Sequence, residues 1–143
     1  MPERILMMIQ QQTIVLPQFP KGIHLITQEV LNKLEVLPDL GLLHLFLLHT
    51  SAALSINENY DPTVRLDSDY LFDTLIREHL PALKHTLEGP DDMPAHFKSL
   101  ITGCSLTIPI MQQRLHLGTW QGIYLCEFRH HASRRHLVCT IIG

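Results

Sequence analysis

The hydrophobic and polar positions change period along this chain, and the periods predict strands at both ends with helices between them. Residues 4–16 alternate apolar and polar side chains up to Pro17, which predicts one long strand or two short ones. Residues 42–48 are apolar on both faces, as expected of a strand at the centre of a sheet. The C-terminal third alternates again, and strands are expected at residues 105–110, 114–117, 120–128 and 135–142.

Segments between these strands carry apolar residues at helical spacing. The first helix is expected to run from Thr27 to Leu37 and the second from Asp61 to Pro81. Each begins at a residue type that caps helices well. On the second helix, Asp69 and Asp73 lie away from the apolar face, so their carboxylates are expected in solvent.

A third helix is expected from Pro94 to about Gly103, a residue type that suits the C-terminal cap. Phe97, Leu100 and Ile101 share one face of this helix and are expected to be buried. Lys98 points nearly opposite to that face, so it is expected at the surface.

Length and composition restrict the class of protein. A chain of 143 residues with 45% hydrophobic and 17% charged side chains can bury the core of one domain, and no linker or repeat divides residues 1–143. The formal net charge of −3 offers no basic field for nucleic acid or an anionic membrane surface. The longest apolar run, residues 42–48, is far shorter than the ~20 residues that cross a bilayer. We therefore expect neither nucleic acid nor a membrane as a partner.

The N-terminal segment and the cysteines bear on the compartment. Residues 1–12 contain Glu3 and an interrupted apolar run, so no signal peptide is expected there. Cys104, Cys126 and Cys139 are odd in number and lack C-x-x-C spacing, which fits small apolar side chains in a reducing environment. The expected location is the cytoplasm.

The chain contains ten histidines and one tryptophan. Two of the histidines lie at the ends of a segment that cannot form regular structure. The run HTLEGPDDMPAH, from His85 to His96, is rich in Gly, Pro and Asp and predicts a loop. His49 ends the buried row of the strand at residues 42–48. Three histidines with an open position are typical of catalytic zinc, whereas carboxylates with waters suit magnesium. We therefore treat His49, His85 and His96 as candidate ligands of one divalent metal, zinc or magnesium.

Carboxylates in the same regions are candidates for supporting roles. Asp92 lies in the loop, where it can orient an imidazole. Glu58 follows Asn57 after a short strand, and Glu127 continues a mostly apolar row, where an ionised carboxylate needs a cation, a metal or a donor. These groups are candidates for the second shell or for a general base. From the residues alone, the histidines can equally be core or surface side chains, and Asn57 and Glu58 can be solvated turn residues.

Three runs in this order resemble the YjbQ-like family, also described as the secondary thiamine-phosphate synthase family: HTSAALSINENYDP, EGPDDMPAHFKSLITG and LHLGTWQGIYLCEFR. The similarity covers nearly the whole chain. It implies an α+β fold, a single domain with a β-sandwich-like sheet core and about three helices. It also implies a homotrimer with the site near a subunit boundary. Carried over by position, the resemblance indicates as site residues His49, Asn57, Glu58, His85, Asp92, His96, Gly118, Thr119, Trp120, Gln121 and Glu127.

The resemblance further implies a reaction of the thiamine-phosphate synthase type, on a phosphorylated small-molecule substrate. Hydroxymethylpyrimidine diphosphate would lose diphosphate and be captured by the nitrogen of a thiazole phosphate. Asp92, Glu58, Gln121 and Glu127 are the expected catalytic groups, and Glu127 would stabilise the cationic pyrimidine. A metal-dependent hydrolase and a non-catalytic trimeric protein that binds a metal or an anion remain the alternatives. Arg134 or Arg135 can contact phosphate or can be a solvated hairpin charge.

Overall fold

The computed structural model describes residues 6–143, and these form eight strands and three helices. The elements are β1 (Ile9–Val15), β2 (Gly22–Leu25), α1 (Thr27–Leu31), β3 (Leu40–Leu47), β4 (Ala52–Glu58), α2 (Pro62–Leu75), α3 (Asp92–Thr102), β5 (Ser105–Met111), β6 (Arg114–Leu115), β7 (Gln121–Glu127) and β8 (His136–Ile142). Of the first predicted strand, residues 4 and 5 lie outside the described residues, as do residues 1–5 of the segment bearing on a signal peptide. The other predicted strands are found within a few residues of their expected bounds.

All strand pairs in the described residues are antiparallel, and they form two sheets. The larger sheet has the order β1-β8-β3-β5-β6, and the smaller has the order β2-β7-β4. The main core contains side chains from both sheets, among them Leu45 of β3, Leu54 of β4 and Leu125 of β7, all almost fully buried. This arrangement confirms the α+β prediction, with sheets forming the core and helices at the periphery.

Strand β3 has the central position in the larger sheet that its apolar sequence predicts. Leu43, Leu45 and Leu47 point into the core. The opposite face is not covered within one chain, because Leu42 and Phe46 are 43% and 41% exposed. The longest helix of the described residues spans 14 residues, and none has the length and hydropathy of a membrane-spanning segment.

The cysteines are free thiols in the structure. Cys126 and Cys139 are buried, and burial raises the pKa of Cys126 to about 12 and that of Cys139 to about 11. Both therefore remain protonated and pack as small apolar groups, in agreement with the prediction.

The first helix begins at Thr27 but ends at Leu31 rather than Leu37, and Thr27 is not its N-cap. Its N-cap residue is Ile26, which makes no side-chain capping bond. The Thr27 hydroxyl instead accepts a hydrogen bond of 2.9 Å from the Ile123 backbone N–H, which joins the helix to β7. The helix ends at Leu31, and the chain beyond it still buries Leu37.

The predicted orientation of α3 is wrong. Ala95 and Lys98 face the protein interior, whereas Phe97, Leu100 and Ile101 are 47%, 75% and 59% exposed. Periodicity identified the two faces of the helix correctly, but it did not identify which face is inward. The orientation is stabilised by an ion pair of the buried Lys98 ammonium.

Lys98 is 1% exposed, and its ammonium donates to Asp73 Oδ1 at 2.6 Å. Asp73 also accepts from Lys21 at 2.7 Å, and Lys21 donates to Asp69 at 2.8 Å. Asp69 and Asp73 are thus partly exposed to solvent, at 30% and 44%, but they are also paired with lysines, which the sequence did not predict. No residue of α2 is buried, so these ion pairs and the contact of Phe72 with Phe128 attach the helix to the domain.

We predict that Asp73→Asn lowers the free energy of unfolding at neutral pH by about 1–2 kcal/mol, because Lys98 loses its charged partner in a partly exposed pair. Burial alone raises the pKa of Asp73, but hydrogen bonds from Lys21 and Lys98 outweigh it and hold the pKa below its ordinary value. The carboxylate therefore stabilises the fold above its unfolded pKa, and this contribution is lost as the pH falls through the folded pKa.

In denaturant titrations, the difference between wild type and Asp73→Asn should persist from neutral pH to about pH 4 and shrink as the pH falls further. Asp67→Asn, at an exposed position on the same helix, is the matched control and should leave the stability unchanged. A difference between wild type and Asp73→Asn that stays constant below about pH 4 would contradict the prediction.

Candidate metal centre

Three sequence-predicted site residues meet where the loop at residues 85–91 enters α3. Asp92 and His96 lie one turn apart on the helix, so their side chains project from the same face. The loop turns back at Gly89, whose φ of +104° is readily adopted only by glycine. This turn brings His85 back beside Asp92.

One carboxylate oxygen joins the two imidazoles. Asp92 Oδ2 lies 2.8 Å from His85 Nε2 and 3.1 Å from His96 Nε2. The potential ligand atoms of the three residues all lie within 4.8 Å of one another. The Asp92 side chain is 4% exposed, whereas those of His85 and His96 are 54% and 26% exposed. The cluster is therefore anchored on a buried acid and open on the imidazole side.

The hydrogen bonds of His96 favour a cation at this cluster. His96 Nδ1 lies 2.8 Å from the Thr50 carbonyl oxygen, which can only accept, so Nδ1 carries a hydrogen. Nε2 then faces Asp92 Oδ2 at 3.1 Å, while Arg129 donates to the other oxygen of Asp92 at 2.7 Å. With its hydrogen on Nδ1, the imidazole directs the lone pair of Nε2 toward the cluster, as a metal ligand does.

The donor set fits a metal of the zinc type better than magnesium. Two imidazole nitrogens and one carboxylate oxygen are typical zinc ligands, and three protein ligands leave a position open, as in catalytic sites. Magnesium prefers oxygen ligands and retains its waters. The bond from His96 to the Thr50 carbonyl is the contact that metal-binding histidines usually make with their second nitrogen.

His49 lies outside this cluster, although it lines a common pocket with His96. Its Nε2 accepts a hydrogen bond of 2.8 Å from the His136 backbone N–H. Burial and the nearby charges of Arg135 and His136 lower the pKa of His49, so its imidazole is neutral. That His49 binds the same metal stays a prediction of the sequence alone, and the geometry of one chain favours a ligand set without it.

Glu127 has the cationic partner that its buried position requires. Arg135 donates to its two oxygens at 2.7 and 2.6 Å, and also to the Ser51 hydroxyl at 3.0 Å. Glu127 is fully buried and Arg135 is 5% exposed. This pair stabilises the end of β7, and the position of Glu127 does not support contact with a substrate. Arg135 is therefore not a solvated charge, while Arg134 is exposed and donates to the Leu16 carbonyl.

The remaining predicted site residues form a second group at the far end of β4 and β7. Glu58 pairs with Gln121 at that end, whereas Ala52 pairs with Glu127 near the metal cluster. Six residue steps along a strand separate the two ends by roughly 20 Å. The members of this far group are Asn57, Glu58, Gly118, Thr119, Trp120 and Gln121.

Local hydrogen bonds and an exposed aromatic pair characterise the far group. Gln121 Oε1 accepts from the Gly118 N–H at 2.8 Å, and Asn57 Oδ1 accepts from the N–H of Glu58. Trp120 is 58% exposed and makes an edge contact with Tyr60, at 5.6 Å between ring centroids. The structure of a single chain thus does not bring these side chains to the metal cluster.

Arg129 is the one residue at the cluster that sequence reasoning missed. It follows β7 and contacts both Asp91 and Asp92. Those acids lie 38 and 37 positions earlier in the chain, so no local pattern connects them with Arg129. Two consecutive acids before a helix were the only available signal that a basic group approaches this loop.

Two open pockets flank the cluster. One, of about 400 Å³, includes His85 together with Leu80, Leu83 and Pro90 in its lining. The other, of about 580 Å³, includes His49, His96 and Leu100. Each imidazole of the cluster therefore faces a separate space that can hold part of a ligand.

The fold and the cluster define a small α+β domain with two antiparallel sheets and a His–Asp–His site at one edge. Residues 12–143 match the family described as UPF0047 protein YjbQ-like, and the chain belongs to this family. It is 51% identical to the UPF0047 protein YjbQ of Salmonella typhimurium and 45% identical to that of Escherichia coli O157:H7. In both cases the similarity covers 93% of this chain and 97% of the relative.

Solved structures share the fold. A conserved hypothetical protein from Thermus thermophilus is 35% identical, with a TM-score of 0.78 over 89% of this chain and 97% of the other. A YbjQ-like protein of unknown function from Sulfolobus solfataricus has a TM-score of 0.82 at 24% identity, over 96% and 99% of the two chains. These relatives establish the family and the fold, and their names state no activity.

We predict that His85→Ala and His96→Ala abolish binding of zinc, because each removes a ligand from a set of three. His49→Ala should retain the metal, since the Nε2 of His49 is engaged by His136. The measurement is the metal content of purified proteins after equilibration with zinc and gel filtration.

His24→Ala is a suitable control, since its ring stacks on Phe19 and bonds to Pro20 away from the cluster. Loss of metal in all three variants at positions 49, 85 and 96 would instead support one site with three histidines. Absence of metal from the wild type would leave an anion held by protonated histidines as the better interpretation.

Proposed function

We propose that this protein is a metal-dependent transferase of the thiamine-phosphate synthase type, which acts at the His85–Asp92–His96 cluster. The observation that carries the proposal is the carboxylate oxygen of Asp92 between two imidazole nitrogens, at 2.8 and 3.1 Å. The donor set supports a divalent cation, and the family resemblance supports the reaction. The two pockets beside the cluster favour a reaction that joins two molecules over the hydrolysis of one.

In the proposed reaction the bond between the pyrimidine methylene carbon and the diphosphate oxygen breaks, and diphosphate leaves with the electron pair. The thiazole nitrogen then forms the new carbon–nitrogen bond with its own lone pair. A bound divalent metal would supply charge neutralisation for the diphosphate. His85, His96 and Asp92 would hold that metal, and the bond from His96 to Thr50 keeps the lone pair of Nε2 directed toward it.

The assembly proposed for this function is a homotrimer in which the far group of one copy approaches the metal cluster of the next. Leu100 and Ile101 of α3 are exposed beside His96, and Trp120 and Tyr60 are exposed at the far end. An apolar surface and an aromatic pair on opposite ends of one domain favour a head-to-tail contact, which closes into a ring when the rotation permits. In this arrangement Glu58 and Gln121 would lie near the metal cluster of a neighbouring subunit.

We predict that the zinc-loaded protein forms thiamine phosphate from hydroxymethylpyrimidine diphosphate and thiazole phosphate, with one diphosphate released per product. Asp92→Asn and His96→Ala should lose this activity. The measurement is product formation by chromatography, together with rescue of a thiamine-requiring strain. His24→Ala serves as the control with an intact cluster.

Release of phosphate or diphosphate without a coupled product would instead indicate the metal-dependent hydrolase. Metal binding with neither reaction would indicate a non-catalytic metal-binding protein. Either result would overturn the synthase proposal.

We predict a solution mass near three times the 16.4 kDa of one chain, measured by light scattering. Leu100→Asp should reduce this mass to that of the monomer, because it places a charge in the proposed apolar contact. Val36→Asp, at a site that is 80% exposed and distant from α3 in sequence, is the matched control and should stay trimeric. A wild-type mass near that of one chain would refute the assembly.

Mixed assemblies of two variants test whether each site is formed by two subunits. Co-expressed Glu58→Gln and His96→Ala chains should recover about a quarter of the wild-type sites if each site combines two subunits in a closed ring. No recovery beyond the sum of the separate variants would show that Glu58 and His96 do not act across a subunit boundary.

A further inference from the structure

Arg129 connects the end of β7 to the loop that carries the cluster. Its Nε donates to Asp91 Oδ2 at 3.0 Å, its Nη1 donates to Asp92 Oδ1 at 2.7 Å, and its Nη2 donates to the Glu88 carbonyl at 2.9 Å. The Arg129 side chain is 21% exposed, and those of Asp91 and Asp92 are 9% and 4% exposed. The guanidinium thus uses its planar set of donors on three points of one loop.

The contact divides the two oxygens of Asp92 between different partners. Oδ1 accepts from Arg129, which leaves Oδ2 for His85 and His96. Arg129 lies two residues beyond the buried strand β7, and its backbone N–H donates to Glu127 Oε2 at 3.2 Å, which connects it to the sheet. The orientation of the Asp92 carboxylate is therefore set from the sheet, through a group that does not itself touch the imidazoles.

Asp91 holds Arg129 in this position. Its Oδ2 accepts from Arg129 Nε and also from the His130 backbone N–H at 2.9 Å. Asp91 thus holds the guanidinium by Nε, which leaves Nη1 directed at Asp92 Oδ1.

We propose that Arg129 is a positioning residue of the metal site, which orients Asp92 so that Oδ2 completes the ligand set with His85 and His96. This inference rests on the proposed metal site. The charge of Arg129 and its orienting contact predict opposite changes in metal affinity when Arg129 is replaced. A positive group near a cation weakens binding by Coulomb repulsion, so its removal should tighten binding if charge were the main effect. Loss of orientation predicts the opposite sign.

The test uses cobalt(II) as the probe, because its visible absorption reports the geometry of its ligands. The full-length wild type, Arg129→Met and Arg129→Lys are titrated with cobalt(II), and zinc affinity is then measured by competition. Arg129→Met should bind about 10–100-fold more weakly, as is typical when a group behind a ligand is lost, and its cobalt spectrum should change. Arg129→Lys can still donate to Asp92 but lacks the planar set of donors, so its affinity should lie between those of wild type and Arg129→Met.

Arg134→Met is the matched control, since Arg134 is an exposed arginine of the following hairpin whose Nε donates to the Leu16 carbonyl. It should bind cobalt like the wild type with an unchanged spectrum. Thermal melting of each metal-free protein checks that the variants are folded. If Arg129→Met does not fold, Arg129→Lys decides: weaker binding with a changed spectrum supports the proposal, and wild-type binding overturns it.

The outcomes separate this inference from the proposed function. Equal or tighter binding by a folded Arg129→Met, with a wild-type spectrum, overturns the role of Arg129 and leaves the metal site intact. Failure of the wild type to bind cobalt or zinc overturns the metal site itself, and the role of Arg129 with it. Metal binding without synthase activity overturns only the reaction, since the cobalt titration does not depend on turnover.

Discussion

The register of β7 between β2 and β4 is the constraint on which the rest of the molecule depends. Residues 122–128 are all buried, because β7 has the larger sheet on one face and the helices on the other. In this register Glu127 lies opposite both Ala52 and Gly22, and the chain leaves the sheet immediately before Arg129. A shift of one residue would exchange the two faces of the strand. It would place Glu127 among the residues under the helices and remove Arg129 from the loop at the cluster.

Buried charges determine how the helices attach to this sheet. Lys98 and Glu127 are almost completely excluded from water, and an unpaired ion in such a position is strongly destabilising. Asp73 of α2 neutralises Lys98, which lies 25 positions later, and Arg135, just before β8, neutralises Glu127 at the end of β7. Helix α3 consequently presents Lys98 inward and leaves its larger apolar side chains outside. The apolar surface near the cluster is thus a consequence of how the ion pairs are satisfied, and it is available to another subunit.

These interactions also explain how far sequence reasoning succeeds. Alternation placed β7 and β8, and a run that is apolar on both faces placed β3, because both patterns are local signatures of a strand. The loop between His85 and His96 was predicted because Gly, Pro and Asp interrupt regular structure, although Asp92, predicted in this loop, lies in the first turn of α3. The inward face of α3 and the partner of Glu127 depend on pairs across the fold. Periodicity carries no information about such pairs. The apolar face of α3 was therefore identified correctly but predicted to face the interior, whereas it faces outward.

The two groups of predicted site residues are kept apart by the pairing of β4 with β7, and this limits which side chains of one chain can act together. Seven residues of β4 pair along their length with seven of β7, so the sheet acts as a rigid spacer between the metal cluster and Gln121. Loop motion within one chain cannot close a gap of roughly 20 Å while that ladder is intact. If both groups serve one reaction, the far group must come from another copy of the chain. A closed ring of identical subunits satisfies this condition for every copy at once, since each contributes one group to each of two sites.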